Sequence, residues 1–167
     1  MVLNCISPNL IDAANEAFRV LRQREWRVVT AESCTAGLIA ACLSQTENAS
    51  DLLEGSFVTY TKAQKTEALG VPAALLAASG AVNEEVAKYM ATGALARSKA
   101  DIALSVTGVL GPSPDEDGNP VGLVCFGCAR REGAPSIRNA DYGKHHHDAL
   151  RNLVVCDALG FLMECAQ

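Results

Sequence analysis

The feature that most constrains this fold is a stretch of small and hydroxyl-bearing residues at positions 30–37, T-A-E-S-C-T-A-G. Residues 26–29, W-R-V-V, precede it with the apolar, β-branched character of a short buried strand. Residues 38–43, L-I-A-A-C-L, follow it and are typical of a short helix. The chain must therefore turn sharply between strand and helix, with hydroxyls and a thiol at the turn.

This turn is compatible with chemistry or with a purely structural role. A helix N-terminus has unpaired backbone N–H groups and the positive end of the helix dipole. A serine Oγ held there, such as that of Ser33, would lie near donors that stabilise an anion. Ser33 or Thr35 can equally serve as the helix N-cap, so the motif alone leaves both interpretations open.

Length and composition predict one cytoplasmic domain spanning residues 1–167. Apolar residues make up 49% of the chain and aromatic residues 5%, which favours tightly packed helices on a sheet. A net charge of −5 provides no basic face, so nonspecific nucleic-acid binding is disfavoured. No apolar run approaches ~18 residues, and positions 1–10 lack the basic start of a secretory signal, so we expect no membrane partner.

Seven cysteines and three adjacent histidines invite a metal or redox interpretation. We interpret the cysteines mainly as small buried hydrophobic residues in a reducing compartment. Cys125 and Cys128 form a C-x-x-C within an apolar run, where a strand would point them to opposite faces. Residues 145–147, H-H-H, can bring at most two side chains to one face. We therefore predict no metal and no cofactor.

The remaining pattern alternates short strands with helices. Apolar and β-branched runs predict strands over residues 55–60, 101–107, 122–129 and, at an edge, 136–142. Helical spacing predicts helices over residues 10–21, 62–69, 73–78, 84–97 and 150–162. Thr61 and Gly70 are placed to cap the second of these helices, and Asn83 the fourth. Tyr60 at a strand end and Lys65 in the early helix are spaced to reach one cleft mouth.

Four segments, in order, resemble the C-terminal domain family of the competence/damage-inducible protein CinA. Residues 31–37 resemble its A-E-S-C-T-G-G signature, and residues 57–71 its V-x-Y-S-x-x-x-K-x-x-L-G-V stretch. Residues 80–87 are similar to G-A-V-S-x-E-V-A, and residues 106–112 with P-V-G at 120–122 to the T-G-I-A-G-P loop and its closing segment. The resemblance runs from about Leu10 to Leu162 and covers only this domain, so we expect the stand-alone form.

The resemblance implies an α/β fold, a single three-layer α/β/α domain with a central mixed sheet, commonly in homo-oligomers. It also implies hydrolysis of the carboxamide of nicotinamide mononucleotide, a pyridine nucleotide, to nicotinate mononucleotide and ammonia. By matching positions, Ser33 is the nucleophile, Lys65 accepts its proton, and Tyr60 relays the proton or orients the lysine. The histidines cluster late in the chain and make no Ser-His-Asp set, so a lysine with a lowered pKa must act as base.

Matching positions also imply the substrate contacts. Backbone N–H groups at positions 34–37 would hold the oxyanion, and residues of the later loops would contact the nucleotide or its phosphate. The predicted binding residues are Cys34, Thr35, Gly37, Thr107, Gly108, Gly111 and His147. Cys34 is the rival nucleophile, on the wrong side of the turn if Ser33 faces the cleft.

The sequence departs from the family pattern at three places. Ala36 replaces the first glycine of G-G, S-P-D at 113–115 stands where consecutive glycines are usual, and H-H-H at 145–147 stands where G-D-R is usual. A different substrate, a weak affinity or lost activity is each compatible with these changes. The alternative function is a catalytically weak, protein-interaction module linked to competence or the DNA damage response.

Overall fold

A computed structural model describes residues 6–167. Its five strands are β1 (Val28–Glu32), β2 (Leu53–Val58), β3 (Ile102–Gly108), β4 (Leu123–Arg130) and β5 (Ser136–Asp141). They form one sheet in the order β2-β1-β3-β4-β5. Strand β1 is parallel to β2 and β3, whereas β4 is antiparallel to β3 and β5. The sheet is therefore mixed, and β5 lies at an edge as predicted.

Seven helices of the described residues cover this sheet. They are α1 (Pro8–Arg24), α2 (Leu38–Ser44), α3 (Ala49–Leu52), α4 (Lys62–Leu69), α5 (Ala73–Ser79), α6 (Glu84–Ala96) and α7 (His147–Cys165). Apolar residues of α1, α2 and α7 pack with one face of the sheet, and those of α4, α5 and α6 with the other. The three-layer α/β/α arrangement with a central mixed sheet is thus confirmed.

Local capping signals in the sequence predicted helix ends well. The Thr61 side chain accepts a hydrogen bond from the Gln64 N–H, and Gly70 ends α4 in the left-handed region with φ +73°. The Asn83 side chain likewise accepts from the Val86 N–H at the start of α6. These capping predictions are confirmed because each depends only on residues three or four positions apart.

The predicted end of the first strand was wrong. Strand β1 continues through Thr30, Ala31 and Glu32, which were assigned to the turn, and its five residues are all buried. It is paired on both sides, with β2 and β3, so neighbouring backbone rather than side-chain type sets its length. The turn is consequently confined to residues 33–37. Strand β2 similarly begins and ends two residues earlier than predicted.

The six described cysteines are free thiols, and Cys5 lies outside the described residues. Within residues 6–167, no three His, Cys, Asp or Glu side chains form a group that could hold a metal ion. No helix in the described part of the chain is long and apolar enough to cross a membrane.

Candidate active site

Ser33 and Lys65 meet at the carboxyl end of β1. The Lys65 Nζ is 2.7 Å from Ser33 Oγ and 2.7 Å from the carbonyl oxygen of Thr59. Lys65 is fully buried, and Ser33 is buried at 8% exposure. Chain connections from β1 and β2 diverge to opposite faces of the sheet here, which is where open α/β sheets commonly form ligand crevices.

The buried surroundings of Lys65 lower its pKa and therefore the fraction of the lysine that is charged. Burial lowers the pKa of its ammonium from 10.5 to about 8, and the neighbouring Cys34 opposes this only partly. Roughly one tenth of Lys65 is then neutral at pH 7, where a free lysine is almost entirely charged. A neutral amine hydrogen-bonded to a serine hydroxyl can accept its proton, which is the arrangement that activates a weak nucleophile.

The pKa of the Cys34 thiol is shifted in the opposite direction, upward. Cys34 contributes to the cavity lining next to Ser33, and its side chain packs against the hydrophobic core. Burial raises the pKa of its thiol to about 12, despite smaller opposing effects from its own backbone N–H and from Lys65. The thiolate is the nucleophilic form of cysteine, so the geometry favours Ser33.

Glu32 organises the turn that carries Ser33. Its buried carboxylate accepts hydrogen bonds from two threonine hydroxyls and three backbone N–H groups at the start of α2. The donors are Thr30 Oγ1 at 3.0 Å, Thr35 Oγ1 at 2.6 Å, Gly37 N at 3.0 Å, Ile39 N at 3.1 Å and Ala40 N at 2.9 Å. The idea that Ser33 or Thr35 caps α2 was therefore wrong, because Glu32 satisfies these donors.

Glu32 also narrows the set of donors available to an oxyanion. The Gly37 N–H is bonded to Glu32, and the Ala36 N–H donates to the Ser33 carbonyl at 3.1 Å. The N–H groups of Cys34 and Thr35 have no oxygen acceptor within residues 6–167. Of these two residues, only Cys34 lines the cavity that contains Ser33, so its N–H is the predicted donor best placed for an anion.

A cavity of about 620 Å³ opens over Ser33 and Lys65. It brings together most of the predicted site residues: Ser33, Cys34, Tyr60, Lys65, Thr107, Gly108, Gly111 and His147. Thr35 and Gly37 do not line it, because the Thr35 hydroxyl and the Gly37 N–H are directed to Glu32. The Thr107 hydroxyl donates to the Ala81 carbonyl at 2.8 Å, so its oxygen can serve a ligand only as an acceptor.

Tyr60 lies at the mouth of this cavity and is 69% exposed. The hydrogen bonds of Lys65 run to Ser33 and Thr59, so the Thr59 carbonyl, rather than Tyr60, orients the lysine in this structure. A role of Tyr60 in proton relay stays a prediction.

Comparison with known proteins assigns the chain to a family. The sequence profile of the CinA C-terminal domain matches residues 11–166. The chain belongs to the CinA C-terminal domain family. A CinA-like protein of Mycolicibacterium gilvum is 49% identical over 121 residues, which cover 72% of this chain and 29% of that protein. The chain thus spans less than a third of the length of that curated relative.

Solved CinA-family structures share the whole fold. The competence/damage-inducible protein CihA of Agrobacterium tumefaciens superposes with a TM-score of 0.92 at 35% identity, covering 100% of both chains. A CinA superfamily protein of Escherichia coli gives a TM-score of 0.88 at 30% identity, covering 99% of both chains.

Sequence reasoning missed two functional positions of this CinA domain. Glu32 is the one charged residue in a strand of otherwise apolar or small side chains, and that isolation was an available signal. The Thr59 carbonyl carries no side-chain signal, and only the path of the backbone after β2 brings it to Lys65.

Proposed function

We propose that this chain hydrolyses the carboxamide of nicotinamide mononucleotide to nicotinate mononucleotide and ammonia. The observation that carries the proposal is the 2.7 Å contact between Ser33 Oγ and the buried Lys65 Nζ, together with the lowered pKa of Lys65. The CinA family includes amidohydrolases, and the chain retains Ser33, Tyr60 and Lys65 of the resemblance.

In the proposed reaction, Ser33 Oγ attacks the carboxamide carbon while its proton passes to neutral Lys65. The carbonyl oxygen becomes an oxyanion, held by the N–H group of Cys34, and such a donor contributes about 3 kcal/mol. The intermediate collapses by expelling ammonia, and the nitrogen takes the proton from Lys65, which leaves an ester on Ser33. A water molecule then attacks this ester, giving its proton to Lys65, and Ser33 recovers that proton as the carboxylic acid leaves.

The cavity supports binding of a substrate of this size. Its volume of about 620 Å³ lies within the range typical of small-molecule sites. Tyr60, Gly108, Gly111 and His147 line this cavity, and in the proposed complex they would contact the substrate.

Ammonia release from nicotinamide mononucleotide tests the proposal. We expect turnover in the wild-type chain, loss of at least about a thousandfold in Ser33→Ala, and unchanged turnover in Ser44→Ala, which removes an exposed serine hydroxyl from α2. A Ser33→Ala protein that is folded and as active as wild type would reject the proposed nucleophile.

A protein-interaction role is the second candidate. Val58 and Tyr60 are large hydrophobic side chains that are 49% and 69% exposed, and Tyr60 also lines the cavity. The names of solved relatives refer to competence and damage. Folded wild-type protein that releases no ammonia from nicotinamide mononucleotide or related amides would favour this candidate over hydrolysis.

A further inference from the structure

Three carboxylates and two lysines line the cavity. The segment between β3 and β4 contributes Asp115, Glu116 and Asp117, whereas α4 contributes Lys62 and Lys65. Lys65 must be neutral to accept a proton from serine. In that reactive state, three carboxylates face one lysine ammonium, that of Lys62, among the described lining residues.

That cation is already paired. The Lys62 Nζ is 2.8 Å from Glu116 Oε1 and 2.8 Å from Asp117 Oδ1. A phosphate dianion that approached Lys62 would therefore have to displace two carboxylates or lie beside them. Like charges at such distances repel, so Lys62 does not offer the free cation that phosphate binding needs.

Asp117 lies on a loop whose turn is stabilised by hydrogen bonds. Asp115 Oδ1 accepts hydrogen bonds from the N–H groups of Asp117 and Asn119, which fixes the turn of the loop. A Cβ at Gly80, where φ is +73°, would lie 2.5 Å from Asp117 Oδ2. The carboxylate thus packs against a glycine that leaves room for it, and it forms part of the cavity wall.

We infer that this site selects cationic, unphosphorylated pyridinium carboxamides over their phosphorylated counterparts, with Asp117 as a specificity-determining residue. The inference rests on the proposed amidohydrolase function and concerns which substrate that activity prefers. A pyridinium ring joined to ribose carries one positive charge, which the acidic wall attracts. Adding a phosphate reverses the net charge of the ligand and turns attraction into repulsion.

The ratio of kcat/KM for nicotinamide riboside to that for nicotinamide mononucleotide tests this selectivity. We expect a wild-type ratio above one and a ratio about fivefold lower in Asp117→Asn, from Coulomb's law for one charge acting on a dianion ~8 Å away in nearly aqueous surroundings. Glu116→Gln should lower the ratio in the same direction. Asp12→Asn, an exposed carboxylate on α1 outside the cavity lining, is the matched control and should leave the ratio unchanged.

The outcomes separate the two proposals. Hydrolysis of both substrates with a wild-type ratio below one, or with the same ratio in Asp117→Asn, would overturn the selectivity and leave the amidohydrolase function standing. Ammonia release from neither substrate, in wild type and variant alike, would reject the amidohydrolase function and the selectivity with it. A ratio above one that narrows as salt rises would support an electrostatic origin.

Discussion

Replacing the buried lysine by an apolar residue of similar length, Lys65→Met, should change how the stability of the protein depends on pH. The pKa of Lys65 is about 8 in the folded chain and 10.5 as its ordinary value, so the folded state binds this proton less tightly than the unfolded state. Folding with Lys65 charged therefore costs about 3 kcal/mol below pH 8, where both states are protonated. The cost falls as pH rises from 8 to 10.5 and vanishes above that window.

The thioether introduced by Lys65→Met carries no charge, so this substitution removes the cost together with its pH dependence. It also removes the hydrogen bonds to Ser33 and Thr59, worth about 1 kcal/mol each, but that loss is nearly constant with pH. The difference in free energy of unfolding between Lys65→Met and wild type should therefore fall by about 2 kcal/mol from pH 7 to pH 9.5.

Urea unfolding followed by circular dichroism at pH 7, 8, 9 and 9.5 measures this difference. Lys99→Met, which removes an exposed ammonium, is the control and should show a nearly flat difference. A flat difference for Lys65→Met as well would refute the reasoning, because it would mean that burial does not disfavour the charged lysine.

Four further predictions follow from the same geometry. Since Lys65 must be neutral to act as base and its pKa is about 8, kcat/KM should rise about tenfold per pH unit below pH 8 and level off above it, as a pH–rate profile would show. Cys34→Ala should retain most amidase activity, because burial keeps the thiol protonated with a pKa of about 12; inactivity of a folded Cys34→Ala protein would contradict the choice of nucleophile. Glu32→Ala should lower the free energy of unfolding by about 3 kcal/mol, since three backbone N–H groups lose their acceptor, and chemical denaturation measures this loss. Ala36→Gly should raise the free energy of unfolding by about 1 kcal/mol, because Ala36 has φ +50° and glycine adopts that conformation without strain; an unchanged melting temperature would argue otherwise.

The sequence predicted which residues lie near the candidate site better than it predicted what they contact. The family resemblance indicated Ser33 and Lys65 as catalytic residues, and in the structure their side chains are hydrogen-bonded although they are 32 residues apart. The resemblance also indicated Thr35 and Gly37 as substrate contacts, but in the structure the Thr35 hydroxyl and the Gly37 N–H donate to Glu32. The signature was informative about which positions matter and less so about what each one contacts, since a motif records residue types and not the direction of their hydrogen bonds.

What the sequence determined by itself is local. Thr61, Gly70 and Asn83 set the ends of their helices because each capping contact is made within a few residues. Apolar periodicity likewise defined the strands and the helices other than α3, which was not predicted, to within two or three residues at most ends.

The tertiary structure sets the side-chain contacts and the charge state on which the proposed chemistry depends. Strand β1 continues to Glu32 because strands on both sides pair with it, and Lys65 meets Ser33 because β2 lies beside β1. Lys62 is joined to Asp117 across 55 residues of sequence. The pKa of Lys65 is lowered because the packed layers exclude water from its ammonium. Exclusion of water is a property of the assembled fold and not of any single segment.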